Sequence, residues 1–148
     1  MSAETKSSAA IDAAIRSFLT SSPRYATIAT INADGSPHQI VIWFLLHSNE
    51  QLGDHLVVNS RRGRRWPTNL ERDGRANLVV YEAEDAVTIE CHVERIYEGE
   101  RAQADIVEMA RRYDGPDITE DELARFRAQA RVTFILRPDR ILVHGSPS

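Results

Sequence analysis

Residues 59–70 read NSRRGRRWPTNL. Arg61, Arg62, Arg64 and Arg65 fall within five positions of a chain whose net charge is −4. Pro67 suits the first position of a helix, where its missing N–H has no partner to lose. Arg64 and Arg65 then stand at, or just before, a helix N-terminus. Such a terminus carries free N–H groups and about half a positive charge. Cations belong at the other pole, and a local conflict of this kind marks a functional site. A bound anion resolves it. Phosphate and carboxylate both suit a helix N-terminus, and the arginine fork matches either group. Asn59 and Ser60, at the end of the preceding strand, can add short hydrogen bonds to the same anion.

Two other readings of the segment stay open. One is a solvated basic loop paired with surface carboxylates such as Glu82 or Glu84. The other is contact with nucleic acid, which the acidic remainder of the chain and the lack of a second basic stripe argue against.

The remaining reactive residues are sparse. His38, His47, His55, His92 and His144 show no metal-ligand spacing, no CxxC is present, and no structural metal is expected. Cys91 is the single cysteine, which fits a reducing, cytoplasmic setting and an inert buried thiol. His38 and His92 are candidate proton donors. His92 can equally be an exposed residue on the polar face of its strand, and His38 an ordinary hydrogen-bonding residue beside a turn. Trp43 is a candidate for substrate contact or for core and dimer packing.

The elements that must position these residues follow from periodicity. Ile11, Ala14, Ile15, Phe18 and Leu19 recur at helical spacing and end at Ser21-Ser22-Pro23. RYATIATI (24–31) and HQIVIWFLL (38–46) are predicted strands joined by NADGSP, whose Asp34-Gly35 is a hairpin signal. The second of these is apolar on both faces: Ile40, Ile42 and Phe44 on one, Val41, Trp43 and Leu45 on the other. Its outer face should therefore meet a helix or another subunit. HSNEQLGD (47–54) reads as a polar turn and HLVVNS (55–60) as a strand. PTNLERDG gives one or two helical turns ended by Gly74. RANLVVY (75–81) and AVTIECHVERIYEG (86–99) are strands about the tight link EAED (82–85). Two helices follow, one with the stripe Ala102, Ile106, Met109, Ala110 and Tyr113. The other opens on a Thr119/Glu122 capping box and turns Leu123, Phe126 and Ala130 inward. RVTFILRP (131–138) and RILVHG (140–145) are read as two strands broken by Pro138.

The chain of 148 residues, 42% hydrophobic and 27% charged, reads as one globular domain with a flexible tail over residues 1–8. The N-terminus does not read as a secretory signal, and no apolar run is long enough to span a membrane. The expected fold is mainly β: a small barrel of six to seven antiparallel strands with peripheral helices.

Taken in order, ATIATINADGSPHQIVIWF, NSRRGRRWPTNLERDGRANLVV and RILVHG resemble the pyridoxamine 5′-phosphate oxidase-like split β-barrel superfamily. More narrowly, the chain is similar to members that bind the deazaflavin coenzyme F420. The resemblance spans about residues 11–145, and GRRWPTNLERDGR is its most specific part. It implies a homodimer with a cofactor in each interfacial groove and hydride transfer to a small electron-poor substrate. The cofactor's phosphate-bearing side chain would meet Asn59, Ser60, Arg61, Arg64, Arg65, Trp66 and Asn69. Its ring would lie against His38, Gln39, Ile40 and Val41, with Trp43 and His92 toward the substrate. The family's loop often carries a lysine near Trp66, which Arg64 or Arg65 would replace. The C-terminal substrate-binding pattern of true pyridoxamine phosphate oxidases is not apparent, so that activity is not implied. FMN is the alternative cofactor. One phosphate needs one or two arginines, whereas the phosphodiester and glutamate tail of the deazaflavin suit four. A non-catalytic carrier of the coenzyme is the alternative function.

Overall fold

The computed structural model describes residues 6–8 and 10–148. Residues 1–5 of the expected tail lie outside the described residues. In chain order the elements are Lys6–Ser8 (β1), Ala13–Thr20 (α1), Ala26–Ile31 (β2), Pro37–Ile42 (β3), Leu45–Asn49 (β4), Gly53–Arg61 (β5), Arg65–Arg72 (α2), Arg75–Glu82 (β6), Asp85–Tyr97 (β7), Gly99–Tyr113 (α3), Glu120–Arg127 (α4) and Arg131–His144 (β8). The strands form one antiparallel sheet ordered β3-β2-β6-β7-β8-β5-β4, with β1 pairing β8 off this path. This is the expected split barrel with peripheral helices.

Alternation along the strands sends one set of side chains inward. Ile28, Leu56, Val58, Leu78, Val87, Ile89, Phe134 and Leu136 form the barrel core, closed by Phe18 and Leu19 of α1 and Trp66 and Leu70 of α2. A second cluster lies outside the barrel, where Ile106 and Met109 of α3 cover Leu45, Val57 and Ile135. The capping box is formed: Thr119 Oγ1 accepts from the Glu122 N–H, and Glu122 accepts from the Thr119 N–H.

Four expected elements are corrected. The single strand over 38–46 is two strands, β3 and β4, at opposite edges of the sheet. Trp43 and Phe44 form the corner between them. The Phe44 N–H donates to the Tyr113 hydroxyl at 3.2 Å, and that hydroxyl donates to the Arg24 carbonyl at 2.6 Å. Side-chain alternation continues through the corner, which is why the segment reads as one strand. Phe44 enters the barrel core, while Leu45 packs under α3. The polar stretch 47–54 is accordingly not all turn, because β4 runs to Asn49 and β5 begins at Gly53. The helix after the arginines starts at Arg65, so Pro67 is its third residue rather than its first. It stays within the first turn, where no N–H is required.

The two expected C-terminal strands are one, β8. Pro138 does not break it but sits at a bulge: Cys91 pairs with Pro138 and Glu90 with Arg140, so Asp139 is the extra residue. The released Asp139 side chain accepts from His92 Nδ1 at 2.8 Å, and His92 Nε2 lies 3.4 Å from Glu94. Arg75 and Arg137 flank His92 on the neighbouring strands. The hydrogen bond to Asp139, reinforced by the charges of Asp139 and Glu94, raises the His92 pKa above its ordinary 6.5. Cys91, beneath the bulge, is pushed up to about 12, chiefly by burial.

The raised His92 pKa fixes the sign of a pH effect. The stability from the charged pair is fully present below pH 6.5 and is lost as the pH rises through the folded midpoint. An NMR titration of the His92 ring should therefore show a midpoint above 6.5 that falls in Asp139→Asn. A midpoint unmoved by that substitution contradicts the pairing.

Candidate functional site

The end of β5 and the start of β8 run side by side, with Ser60 opposite Val132 and Arg61 opposite Arg131. The chain leaves β5 at Arg61, turns through Gly63 at φ 96°, and enters α2. Above this junction lies a cleft of about 450 Å³. Asn59, Ser60, Arg61, Arg64, Trp66 and Arg131 line one part of it. Tyr25, Val41, Ile42 and Trp43 line another, and Ile106, Met109, Asp114, Arg125, Phe126 and Gln129 come from the α3–α4 side.

The four arginines of the opening segment do not act together. Arg62 forms ion pairs with Glu71 at 2.6 Å and with Glu98, and its N–H donates to the Ala130 carbonyl. That arginine has the solvated role considered for the whole segment. Arg65 does not line the cleft; its charge adds to the lowering of the Asp34 carboxyl, which comes mainly from hydrogen bonds with Ser36. Arg61 and Arg64 do line it, and neither side chain has an ion-pair or hydrogen-bond partner among the described residues. The helix N-terminus beside them is bare. Arg64 is its N-cap without a side-chain cap bond, and the first turn holds no acid.

Arg131 completes the cluster. It faces Arg61 directly across the ladder, a like-charge pairing that destabilises a sheet. Burial, followed by the fields of Arg64 and Arg61, pulls its guanidinium down to about 10. The guanidinium remains charged at neutral pH and lies over the Phe126 ring at 5.4 Å. Among the described lining residues, Asp114 is the one carboxylate against four arginines. The arrangement is suited to holding an anion of more than one charge.

The other expected site residues divide. Val41 and Trp43 line the cleft; His38, Gln39 and Ile40, further back along β3, do not. Trp43 stacks on Tyr113 with ring centroids 5.1 Å apart and 6° between planes. Asn59 and Ser60 border the cleft, but their side chains are committed inward. Asn59 Nδ2 donates to the Ala102 carbonyl and Thr133 Oγ1, and Ser60 Oγ donates to the Arg61 carbonyl. Trp66 is 2% exposed and packs against Phe134, so near an anion it offers only its backbone N–H. Asn69 is buried and ties α2 to Thr30 and Asn32. His92 is at the β7–β8 bulge, away from the lining. Sequence reasoning missed Arg131, Arg125 and Phe126. Their only signal was an arginine at the start of a strand that pairs with the one ending in Arg61.

Unneutralised like charges make a prediction about the empty protein. At low ionic strength, Arg64→Ala should unfold at a higher urea concentration than wild type. Added sulfate should raise the wild-type midpoint more than the variant's. No response of the wild type to sulfate would contradict an anion site.

Comparisons with known proteins agree with this architecture. An F420 reductase structure is 22% identical, with a TM-score of 0.66, over 84% of this chain and 94% of that one. A conserved hypothetical protein from Mycobacterium tuberculosis is 22% identical, with a TM-score of 0.71, over 93% of this chain and 86% of that one. The heme storage protein from Vibrio cholerae is 20% identical, with a TM-score of 0.65, over 93% and 96%. At these identities the likeness speaks for the fold alone. No curated protein sequence matches the chain. The sequence profile described as pyridoxamine 5′-phosphate oxidase matches residues 11–144, nearly the whole barrel, and the chain belongs to that family.

Proposed function

We propose that the protein binds the deazaflavin coenzyme F420 and acts as an oxidoreductase on a small electron-poor substrate. The observation that carries this reading is the convergence of Arg61, Arg64 and Arg131 on one cleft without a carboxylate partner. The residues present fit the coenzyme: a cationic part suits its phosphodiester and glutamates, and an apolar part at Val41, Ile42 and Trp43 suits a flat ring. When bound, the coenzyme supplies the hydride, and the protein supplies orientation and electrostatics. Trp43 is held in place by Tyr113 and gives that part of the cleft a rigid aromatic wall. His38 and His92 do not line the cleft, so neither is assigned as a proton donor. FMN, with one phosphate, would leave part of the cationic cluster unused. A heme reading, suggested by the heme-storage likeness, is less well supported because no described histidine lines the cleft.

A second copy of the chain belongs to the same proposal. Val41, Tyr25 and Tyr81 are exposed by 61%, 60% and 66% and border one outer groove with Arg24, Thr27 and Glu82. The helix or subunit expected over the apolar outer face of residues 38–46 divides accordingly. α3 covers Leu45, and nothing among the described residues covers Val41. A homodimer that buries Val41 would also wall the cleft, since Val41 lines both hollows. Among the described residues no helix is long and apolar enough to cross a membrane. A reducing, cytoplasmic setting is part of the same proposal, supported by the single buried thiol.

Three measurements test the reading. In fluorescence titrations oxidised F420 should bind about tenfold more tightly than FMN. Arg61→Ala with Arg64→Ala should weaken F420 by about a hundredfold, while Arg65→Ala has little effect. Equal or tighter FMN binding, or oxidised F420 that does not bind, overturns the coenzyme. Turnover of reduced F420 with a panel of acceptors separates an enzyme from a carrier. In sedimentation the wild type should be a dimer at micromolar concentration and Tyr81→Glu largely monomeric. A monomeric wild type overturns the shared groove.

A further inference from the structure

Arg131 is the end of a buried, one-directional chain of hydrogen bonds. Arg131 Nε donates to Asn59 Oδ1 at 2.9 Å. Asn59 Nδ2 donates to Thr133 Oγ1 at 2.9 Å, and Thr133 Oγ1 donates to Asp105 Oδ2 at 2.7 Å. Asp105 is 4% exposed and is also held by Arg101 Nε at 3.1 Å. Each orientation is forced. Both Asn59 Nδ2 hydrogens are used, the second on the Ala102 carbonyl, so the oxygen must face Arg131. Thr133 receives from Asn59, so its one hydrogen must go to Asp105. Thr133 and Asn59 are also paired across the β5–β8 ladder, which sets their spacing through the backbone.

The consequence is a guanidinium with a fixed plane. Nε is taken by Asn59 and one Nη1 hydrogen by Gln129 Oε1 at 2.6 Å. Three of its five donors remain, with no protein acceptor among the described residues. Arg61 and Arg64, with the bare end of α2, can satisfy one anionic group. Arg131 stands on a different strand as a separate cation whose repulsion against both persists until a second anionic group arrives.

We propose that Arg131 is the residue by which the cleft selects ligands carrying a second anionic group, and that Asp105, acting through Thr133 and Asn59, positions its guanidinium. This rests on reading the cleft as an anion site and not on the identity of the coenzyme.

The test uses calorimetric titration of the full chain with inorganic phosphate and with pyrophosphate. Wild type should prefer pyrophosphate. Arg131→Ala should reduce that preference by about tenfold or more, because it loses more affinity for pyrophosphate than for phosphate. Thr133→Val keeps the side chain's shape but severs the chain of donors, and it should lose most of the preference. Thr133→Ser restores the hydroxyl and should recover it. A purely packing role for Thr133 would give the opposite order, since Val fills the space better than Ser. An undiminished preference in Arg131→Ala, or equal preference in Thr133→Val and wild type, overturns the proposal, as does a wild type that binds neither anion. Pyrophosphate selection that follows this pattern in a protein that ignores F420 would sink the coenzyme and leave the role of Arg131 standing.

Discussion

The Tyr113 hydroxyl stands where the two edges of the sheet meet. It donates to the Arg24 carbonyl, just before β2, and receives the Phe44 N–H at the corner between β3 and β4. Those strands are consecutive in the chain yet lie at opposite ends of the sheet. Without a clasp, the corner would carry a buried N–H with no partner, which is costly to leave unmet. Tyr113 is also the last residue of α3, so the clasp fixes that helix over β5 and β8. The cleft's apolar wall follows, because the Tyr113 ring is the surface on which Trp43 stacks. One hydroxyl therefore joins the closure of the sheet, the seating of a helix and the shape of a binding surface.

The cleft is built against its own stability. Arg61 faces Arg131, Arg64 adds a third charge, and the adjoining helix pole is positive as well. The surrounding structure over-determines the arrangement. Trp66 anchors the loop in the core, and the Arg62 N–H pins it to the Ala130 carbonyl. Arg62 spends its charge on Glu71 and Glu98, so the loop's ties to the body of the protein are distinct from the groups left for a ligand. Preorganised charge of this kind avoids reorganisation on binding.

Much of this was legible in the sequence, and the failures share a cause. Local patterns located α1, the DG hairpin, the capping box, β7 and the helix after the arginines, because periodicity and turn chemistry are short-range signals. They did not show that 38–46 changes edges, since alternation is unbroken through Trp43 and Phe44. Pro138 reads as a break because a bulge and a strand end look alike without the pairing partner. At the site, composition identified a basic loop but not its division of labour. Which arginine is free depends on whether Glu71, Glu98 or Asp34 is near, and that is a matter of tertiary distance. Arg131 was invisible for the same reason: its neighbour Arg61 lies seventy positions away and is brought alongside only by the β5–β8 register.

Trp66 has a consequence beyond packing. It is the second residue of α2, beside the arginine loop, driven into the barrel like a plug, and cavity formation on removing such a ring costs about 3–5 kcal/mol. Arg61, Arg62, Gly63, Arg64 and Arg65, on its N-terminal side, hang from that plug and are exposed. The charged lip of the cleft can therefore be rewritten through substitutions at Arg61 and Arg64 while the barrel keeps its register. A scaffold so partitioned can drift from one anionic guest to another without passing through an unfolded intermediate sequence.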